Sequence, residues 1–200
     1  MTLDRAALVR WGLRLNSITI AYNVLEAIVS LAAGVIAGSA ALIGFGIDSV
    51  IEVTASGAAR WRLNAELDAT QRERTERATA RIIAWSFLAL AAYVTYDGMT
   101  SLWFRERPEK SAVGVAMLAL SVVVMPLLAR AKRAIARGLR SGALASESRQ
   151  TSLCAYLSAI ALTGVALNAT VGWWWADPAA ALAMVPIIAA EGLGGLRRVR

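Results

Sequence analysis

The chain is long enough for a substantial core and unusually apolar: of its 200 residues 58% are hydrophobic and 18% charged, and the mean hydropathy is +0.54. A soluble domain of this length is normally less apolar, and the charges here cluster between long apolar runs, as in integral membrane proteins. The single cysteine excludes an internal disulfide framework and a multi-thiolate zinc site, and the absence of histidine removes the commonest zinc ligand and the usual base near neutral pH.

Six apolar segments predict an all-α polytopic membrane protein in which residues 1–200 form one transmembrane domain. Each segment has 18 to 22 residues, close to the roughly 20 that a spanning helix needs. The segments lie at about 16–37, 40–59, 82–103, 112–129, 150–171 and 174–193. We therefore expect an integral membrane protein, which in a bacterium would lie in the inner membrane.

The basic residues predict the orientation in the bilayer. Three of the 21 Lys and Arg residues lie between helices 3 and 4, whereas the other eighteen fall at the opposite ends of the helices. The positive-inside rule therefore places both termini in the cytoplasm. We interpret the net charge of +7 as topology and contact with lipid headgroups, with no nucleic-acid partner. The basic stretch after helix 4 consists of Arg130, Lys132, Arg133, Arg137 and Arg140.

Helices 1 and 3 each contain an acid within the apolar run. Glu26 follows Asn23 by three residues, so both side chains can face one way, and Asp97 follows Tyr96. Two roles stay open for each acid. It either relays protons or is a structural partner of a neighbour, such as Asn23, Tyr22 or Tyr96.

Helix 2 carries two carboxylates, Asp48 and Glu52, at positions i and i+4 of an apolar run. These positions share a face of a helix, and each acid costs about 2.5–3.5 kcal/mol at the bilayer centre. Two adjacent anions also repel each other, so either one holds a proton or a cation lies between them. The pair therefore predicts a metal or proton site, and the structural alternative is a protonated pair hydrogen-bonded within the bundle.

Helix 5 opens with a polar stripe, because Glu147, Gln150 and Cys154 are spaced i, i+3 and i+7. If helices 2 and 5 touch, these donors converge with Asp48 and Glu52 near mid-membrane. Two carboxylates and a thiolate suit a borderline ion such as Zn²⁺, whereas carboxylates and amide oxygens alone suit a harder ion such as Mn²⁺. Such ligands lose protons when they bind metal, so metal and protons would compete for them.

Each member of the helix 5 stripe also has a structural interpretation. A lone membrane cysteine such as Cys154 often serves as a small packing residue, and Gln150 can bridge helices. Glu147 is either part of a cation site at the cytoplasmic mouth or an interfacial charge paired with Arg149.

The short connections carry further signals. Gly34-x-x-x-Gly38 is a small-residue pattern that favours close helix packing at the turn between helices 1 and 2. Three tryptophans, 173–175, are typical of an aromatic belt at the outer face of the membrane. Asp177 followed by Pro178 predicts a cap and a first-turn proline for helix 6.

Three motifs carry a family resemblance: Gly38-Ser39-Ala-Ala-Leu leading into Asp48-Ser-Val-Ile-Glu52, Asn23-x-x-Glu26, and Trp175-Ala-Asp177-Pro178. They resemble helix 2, helix 1 and the start of helix 6 of the cation diffusion facilitator (cation efflux) family. The resemblance implies six transmembrane helices with cytoplasmic termini, and export of Zn²⁺ or a related divalent metal in exchange for protons. The family's helix 2 carries Asp-x-x-x-Asp or His-x-x-x-Asp, which Asp48 and Glu52 match.

Helix 5 departs from the pattern of the family, which usually has Asp-x-x-His-x-x-x-Asp there. The matching positions are Glu147, Gln150 and Cys154. We also expect a compact form of the family, without the usual cytoplasmic metal-binding domain after helix 6.

The working hypothesis is a homodimeric transporter that exports a Zn²⁺-like divalent cation through a site between helices 2 and 5. Its predicted metal ligands are Asp48, Glu52, Cys154, Gln150 and Glu147, and no prosthetic group is expected. The alternative is a membrane-embedded metal-binding or regulatory subunit that does not transport. An enzyme is the least expected class, since neither a serine–base arrangement nor a phosphate-binding glycine loop can be assembled from these residues.

Overall fold

The computed structural model describes residues 5–64, 69–105 and 107–199. Its six helices are α1 (Arg5–Ala37), α2 (Ala40–Asn64), α3 (Ala69–Trp103), α4 (Ala112–Leu139), α5 (Gly142–Val171) and α6 (Ala176–Val199). Each contains a stretch long and apolar enough to cross a membrane, and the described residues contain no β-strand. The predicted all-α fold with six transmembrane helices is confirmed, and the chain is an integral membrane protein.

Several helices extend beyond the apolar segments that predicted them. The largest differences are at the starts of α3, α1 and α5 and at the end of α4, which was predicted near residue 129 and lies at Leu139. An apolar window marks only the part of a helix that matches the hydrocarbon layer, whereas Ala, Leu and Arg in the flanks are good helix formers that continue it. The extra turns of α4 bring residues into the bundle that the sequence had assigned to a loop.

A tight turn separates α4 from α5. Arg140 ends α4 in the left-handed conformation, with φ +53°, and its backbone N–H bonds back to the last turn of the helix. Ser141 then caps α5, because its hydroxyl accepts a hydrogen bond from the Leu144 N–H at 3.2 Å. The two helices therefore run antiparallel and in close contact from this turn onward.

α2 lies at the centre of the bundle. Within its most apolar stretch 61% of the residues are buried, against 22–39% in the other five helices. It packs most extensively on α1 and also contacts α3, α5 and α6, while α3 pairs with α6 and α4 pairs with α5. The contact between α2 and α5 meets the condition on which the predicted cation site depended.

Glycines let α1 and α2 approach closely. A Cβ atom on Gly34 would lie 2.8 Å from Cγ1 of Ile43, and one on Gly46 would lie 2.7 Å from Cγ of Leu31. Gly38 has open space where a Cβ would lie and a φ of +62°. Glycine is therefore required here for the backbone conformation of the turn and not for close helix packing. The predicted close-packing role is therefore confirmed for Gly34 and wrong for Gly38.

Buried polar contacts join the three connections at one end of the bundle. The Asp177 carboxylate accepts hydrogen bonds from the Ser39 hydroxyl at 2.5 Å and from the Ala41 N–H at 3.1 Å. Asp177 lies in the first turn of α6, so the predicted cap of helix 6 in fact caps the N-terminus of α2. The Asn168 side chain donates to the Pro108 carbonyl at 2.8 Å and so ties α5 to the α3–α4 connection.

Candidate cation site

All five predicted ligands are buried where α2 meets α5. Asp48 and Glu52 point from α2, and Glu147, Gln150 and Cys154 point from α5, each with 2% or less of its surface exposed. The i, i+4 spacing on α2 and the i, i+3, i+7 spacing on α5 put each set on one face of its helix, as predicted. The two faces then meet because α2 and α5 are in direct contact.

Lys132 of α4 reaches into the same region. Its ammonium lies 2.8 Å from Oε1 of Glu52 and forms an ion pair with Glu147. It also donates to the hydroxyls of Thr151 at 2.8 Å and Ser56 at 3.3 Å. Lys132 is only 4% exposed, and two carboxylates and two hydroxyls surround its ammonium. A buried charge requires such ion pairs and hydrogen bonds.

The position of Lys132 corrects the sequence interpretation, which placed this residue in a basic loop after helix 4. α4 continues through it, and its four basic neighbours, Arg130, Arg133, Arg137 and Arg140, are exposed. A sequence signal was present, because Ser121, Met125, Ala129, Lys132, Ala136 and Leu139 continue one helical face with steps of three or four residues. Extending that period past the apolar segment would have put Lys132 on the inward side.

Hydroxyl groups complete the shell around the two glutamates. Thr151 donates to Oε1 of Glu52, and Ser56 donates to Oε1 of Glu147 at 3.1 Å. Glu147 is therefore a buried partner of Lys132. The Nε of Arg149 lies instead 3.5 Å from Oε1 of Glu191.

Asp48 and Cys154 face each other one helical turn from this cluster. The Cys154 thiol and the Asp48 carboxylate interact electrostatically across the contact between α2 and α5. Several polar atoms around them are buried without a hydrogen-bond partner in the described part of the chain: Oδ2 of Asp48, Oε2 of Glu52, and both amide atoms of Gln150. An unpaired buried polar atom costs about 1–3 kcal/mol, and each of these atoms can still bind a further partner.

Glu26 forms a neighbouring cluster that links three helices. Its carboxylate accepts hydrogen bonds from Ser49 of α2 at 2.8 Å and from Ser121 of α4 at 2.5 Å. The sequence predicts neither serine as a partner of Glu26, because only the fold shows which faces meet. Asn23 donates instead to the Thr19 carbonyl within α1, at 2.9 Å.

Asp97 belongs to another part of the bundle. It is half-buried near the end of α3, beside Gly98, which packs against Leu182 and the Pro178 carbonyl at the start of α6. It therefore lies with the α3–α6 pair rather than with the acids of α2.

The five predicted ligands are thus divided between two sub-clusters in this arrangement. Glu52 and Glu147 converge on Lys132, while Asp48 and Cys154 pair beside Gln150. Over residues 5–64, 69–105 and 107–199, no three His, Cys, Asp or Glu side chains come close enough together to hold a metal ion. A cation would find two free carboxylate oxygens and an amide here, with Lys132 adjacent to one of the carboxylates.

Comparison with protein families identifies the fold. The sequence profile of the cation efflux transmembrane domain matches residues 17–199, nearly the whole chain. This chain belongs to the cation efflux family. No individually characterised protein matches it significantly.

Membership of the cation efflux family confirms the resemblance that the motifs of helices 1, 2 and 6 had indicated. The members of this family are transporters of metal cations rather than enzymes. The matched region includes α2 and α5, so the buried acids lie within the transmembrane domain that defines the family.

Proposed function

We propose that this cation efflux protein exports a divalent metal ion from the cytoplasm in exchange for protons, through a site between α2 and α5. Asp48 and Glu52 are its main ligands, with Gln150, Cys154 and Glu147 contributing from α5. Zn²⁺ is the first candidate for the cargo. Both termini face the cytoplasm in this proposal, and the working unit is a homodimer.

The observation that carries the proposal is the pair of unpartnered carboxylate oxygens, Oδ2 of Asp48 and Oε2 of Glu52, buried at the contact between α2 and α5. In a bilayer no solvent is at hand to satisfy them, and ionisable groups at membrane depth mark ion pathways. A bound cation would supply the missing partner to both oxygens.

Charge balance favours a divalent ion. The carboxylates of Asp48, Glu52 and Glu147 together carry three negative charges when ionised, and Lys132 supplies one positive charge. One divalent cation would neutralise the remainder, which matters because uncompensated charge in a buried site is expensive. Protons would neutralise the same carboxylates, and this competition is the physical basis for exchange.

The thiol of Cys154 affects which metal ion the site would prefer. A thiolate ligand would favour Zn²⁺, whereas a site that uses only the carboxylates and the amide of Gln150 would favour Mn²⁺. The melting temperature of the protein, measured with Zn²⁺, Mn²⁺, Co²⁺, Fe²⁺ or Cd²⁺, ranks the affinities of these ions. An ion that binds only the folded state raises the melting temperature more, the more tightly it binds.

Flux measurements in reconstituted vesicles test the proposal. Asp48→Asn and Glu52→Gln keep the shape of the side chains but remove a metal ligand charge, so each is expected to lower divalent metal flux at least about tenfold. Glu109→Gln, an exposed carboxylate outside the helices, is the matched control and should transport like the wild type. Unchanged flux in both site variants would overturn the assignment.

A second candidate function has its own support. Lys132 already neutralises part of the acid cluster, which suits a metal-binding or regulatory subunit that does not transport. Liposomes containing the purified protein separate the two functions. Saturable metal binding with no flux of any of the five ions would favour the subunit.

A further inference from the structure

We infer that Lys132 is a built-in competitor of the transported cation: its ammonium occupies the Glu52 and Glu147 carboxylates when no cargo is bound, and the incoming ion displaces it. The inference rests on the proposed export function, and it adds a residue that the predicted ligand set does not contain. Lys132 moves without changing its charge, so the exchange is one cation for another.

The contacts of Lys132 are those of an ion in a binding site. Two carboxylates and two hydroxyls from α2 and α5 surround the ammonium, which α4 contributes from outside that pair of helices. Oε1 of Glu52 faces Lys132, while Oε2 of the same carboxylate has no partner in the described residues. Glu52 therefore stands between the tethered cation and the unfilled half of the site, and it can serve either one.

Lys132 also lines a small crevice next to the site. This crevice, between α1, α2, α4 and α5, has room for about one water molecule and is lined by Gly12, Asn16, Leu63, Leu144, Lys132 and Glu147. Along α5 the order from the crevice inward is Leu144, Glu147 and then Cys154, each step about one or two helical turns. An ion that approached from this side would meet the Lys132–Glu147 pair before it reached Asp48.

A flexible lysine suits this role better than an arginine would. Its ammonium is a compact point charge on four methylenes, so it can leave two carboxylates without breaking a bidentate geometry. The aliphatic stem can stay against the apolar neighbours of α4 while the head moves toward the crevice. The chain has only two lysines among its 21 basic residues, and this is the buried one.

Direct binding of Zn²⁺ and Mn²⁺ to purified protein in detergent tests the competition. Lys132→Gln removes the competing charge, so the divalent ion should bind at least about tenfold more tightly than to the wild type. Lys132→Arg should bind no more tightly than the wild type, and Arg130→Gln, an exposed basic residue on the same helix, is the matched control. Equal or weaker binding to a folded Lys132→Gln variant would overturn the inference.

Lys132→Gln leaves two buried carboxylates without their counter-ion, which can prevent the variant from folding. A second pair of variants covers this case. In a Glu147→Gln background the loss of Lys132 leaves only Glu52 unpaired. The Glu147→Gln, Lys132→Gln double variant should bind divalent metal more tightly than Glu147→Gln alone. Equal affinity in this pair would contradict the competition.

A measurement without metal separates this inference from the proposed function. Lys132→Ala should be stabilised by ethylammonium, which can fill the vacated pocket, and not by tetramethylammonium, which is too large. The melting temperature should rise by several degrees with ethylammonium, and the wild type should show no such rise. If ethylammonium stabilises Lys132→Ala but the wild type transports no metal, only the export proposal is contradicted. If ethylammonium does not stabilise Lys132→Ala but Asp48→Asn loses metal flux, only the role of Lys132 is contradicted.

Discussion

Glu26 connects three helices through two serine hydroxyls, and this narrows the two roles that its sequence position left open. Ser49 and Ser121 lie 23 and 95 residues away in the chain and donate to different oxygens of the same carboxylate. Each oxygen of the carboxylate thus has a partner on α2 or α4. We therefore expect Glu26 to act as a structural partner.

Substitution of Glu26 tests this assignment at the scale of one residue. Glu26→Ala removes the acceptor of the Ser121 hydroxyl and leaves Ser49 with only the Phe45 carbonyl, so it should lower the free energy of unfolding by about 1–3 kcal/mol. Glu26→Gln keeps the size and one acceptor oxygen, so it should lose less than half as much and retain metal flux. Thermal unfolding in detergent gives the first result and vesicle assays the second. Thr54→Ala, an exposed hydroxyl on α2, is the control. Abolished flux in a stable Glu26→Gln variant would show that the proton relay was the correct alternative.

At the scale of helices, the contact between α1 and α2 depends on the absence of a side chain at Gly46. A Cβ there would lie 2.7 Å from Cγ and 3.0 Å from the backbone N of Leu31. The backbone of α1 cannot yield as a flexible side chain can, so the two helices would have to separate. Because α2 carries both site carboxylates, a shift of this helix would also move Asp48 and Glu52.

Two alanine substitutions on α2 test the close packing of α1 and α2. Gly46→Ala should destabilise the protein by about 1–3 kcal/mol through overpacking. Gly57→Ala should be neutral or stabilising, because Gly57 is exposed with open space around it and alanine is the better helix former by about 1 kcal/mol. The difference between their melting temperatures is the measurement. Equal melting temperatures would mean that α1 and α2 tolerate wider spacing than the structure shows.

At the scale of the whole molecule, the two ends of the bundle differ in character. The connections α1–α2, α3–α4 and α5–α6 share one end, where Asp177 and Asn168 tie them together. The α4–α5 turn and most of the basic residues lie at the opposite end. The crevice that Lys132 lines lies toward the basic end, so the proposed export direction depends on which end faces the cytoplasm.

Labelling of introduced cysteines determines that orientation. With the basic end in the cytoplasm, a membrane-impermeant maleimide should label Arg107→Cys in intact cells. It should label Arg137→Cys only after the membrane is permeabilised. Both positions are exposed, and the native Cys154 is buried, so the unmodified chain serves as the unlabelled background. The reverse pattern would invert the proposed topology and, with it, the direction of transport through the crevice.

The amino-acid sequence by itself determined the class of protein, the number of spanning helices and a polar face on each of α2 and α5. Hydropathy is a local property, and the helical period assigns a face to each residue from its neighbours alone. The pairs Asp48/Glu52 and Glu147/Cys154 could therefore be predicted as two polar faces without knowledge of the fold. Their burial against one another followed once α2 and α5 were found in contact.

Only the tertiary structure decided which partners those faces meet. Lys132 and Glu52 are 80 residues apart, and Ser39 and Asp177 are 138 apart, so no local pattern specifies either contact. A lysine just beyond an apolar segment fits a cytoplasmic loop and a buried ion pair equally well in the sequence. The rotation of α4 and its three extra turns place the ammonium between Glu52 and Glu147. These features depend on how whole helices pack, because burial of a charge is set by the surrounding helices rather than by its neighbours in the chain.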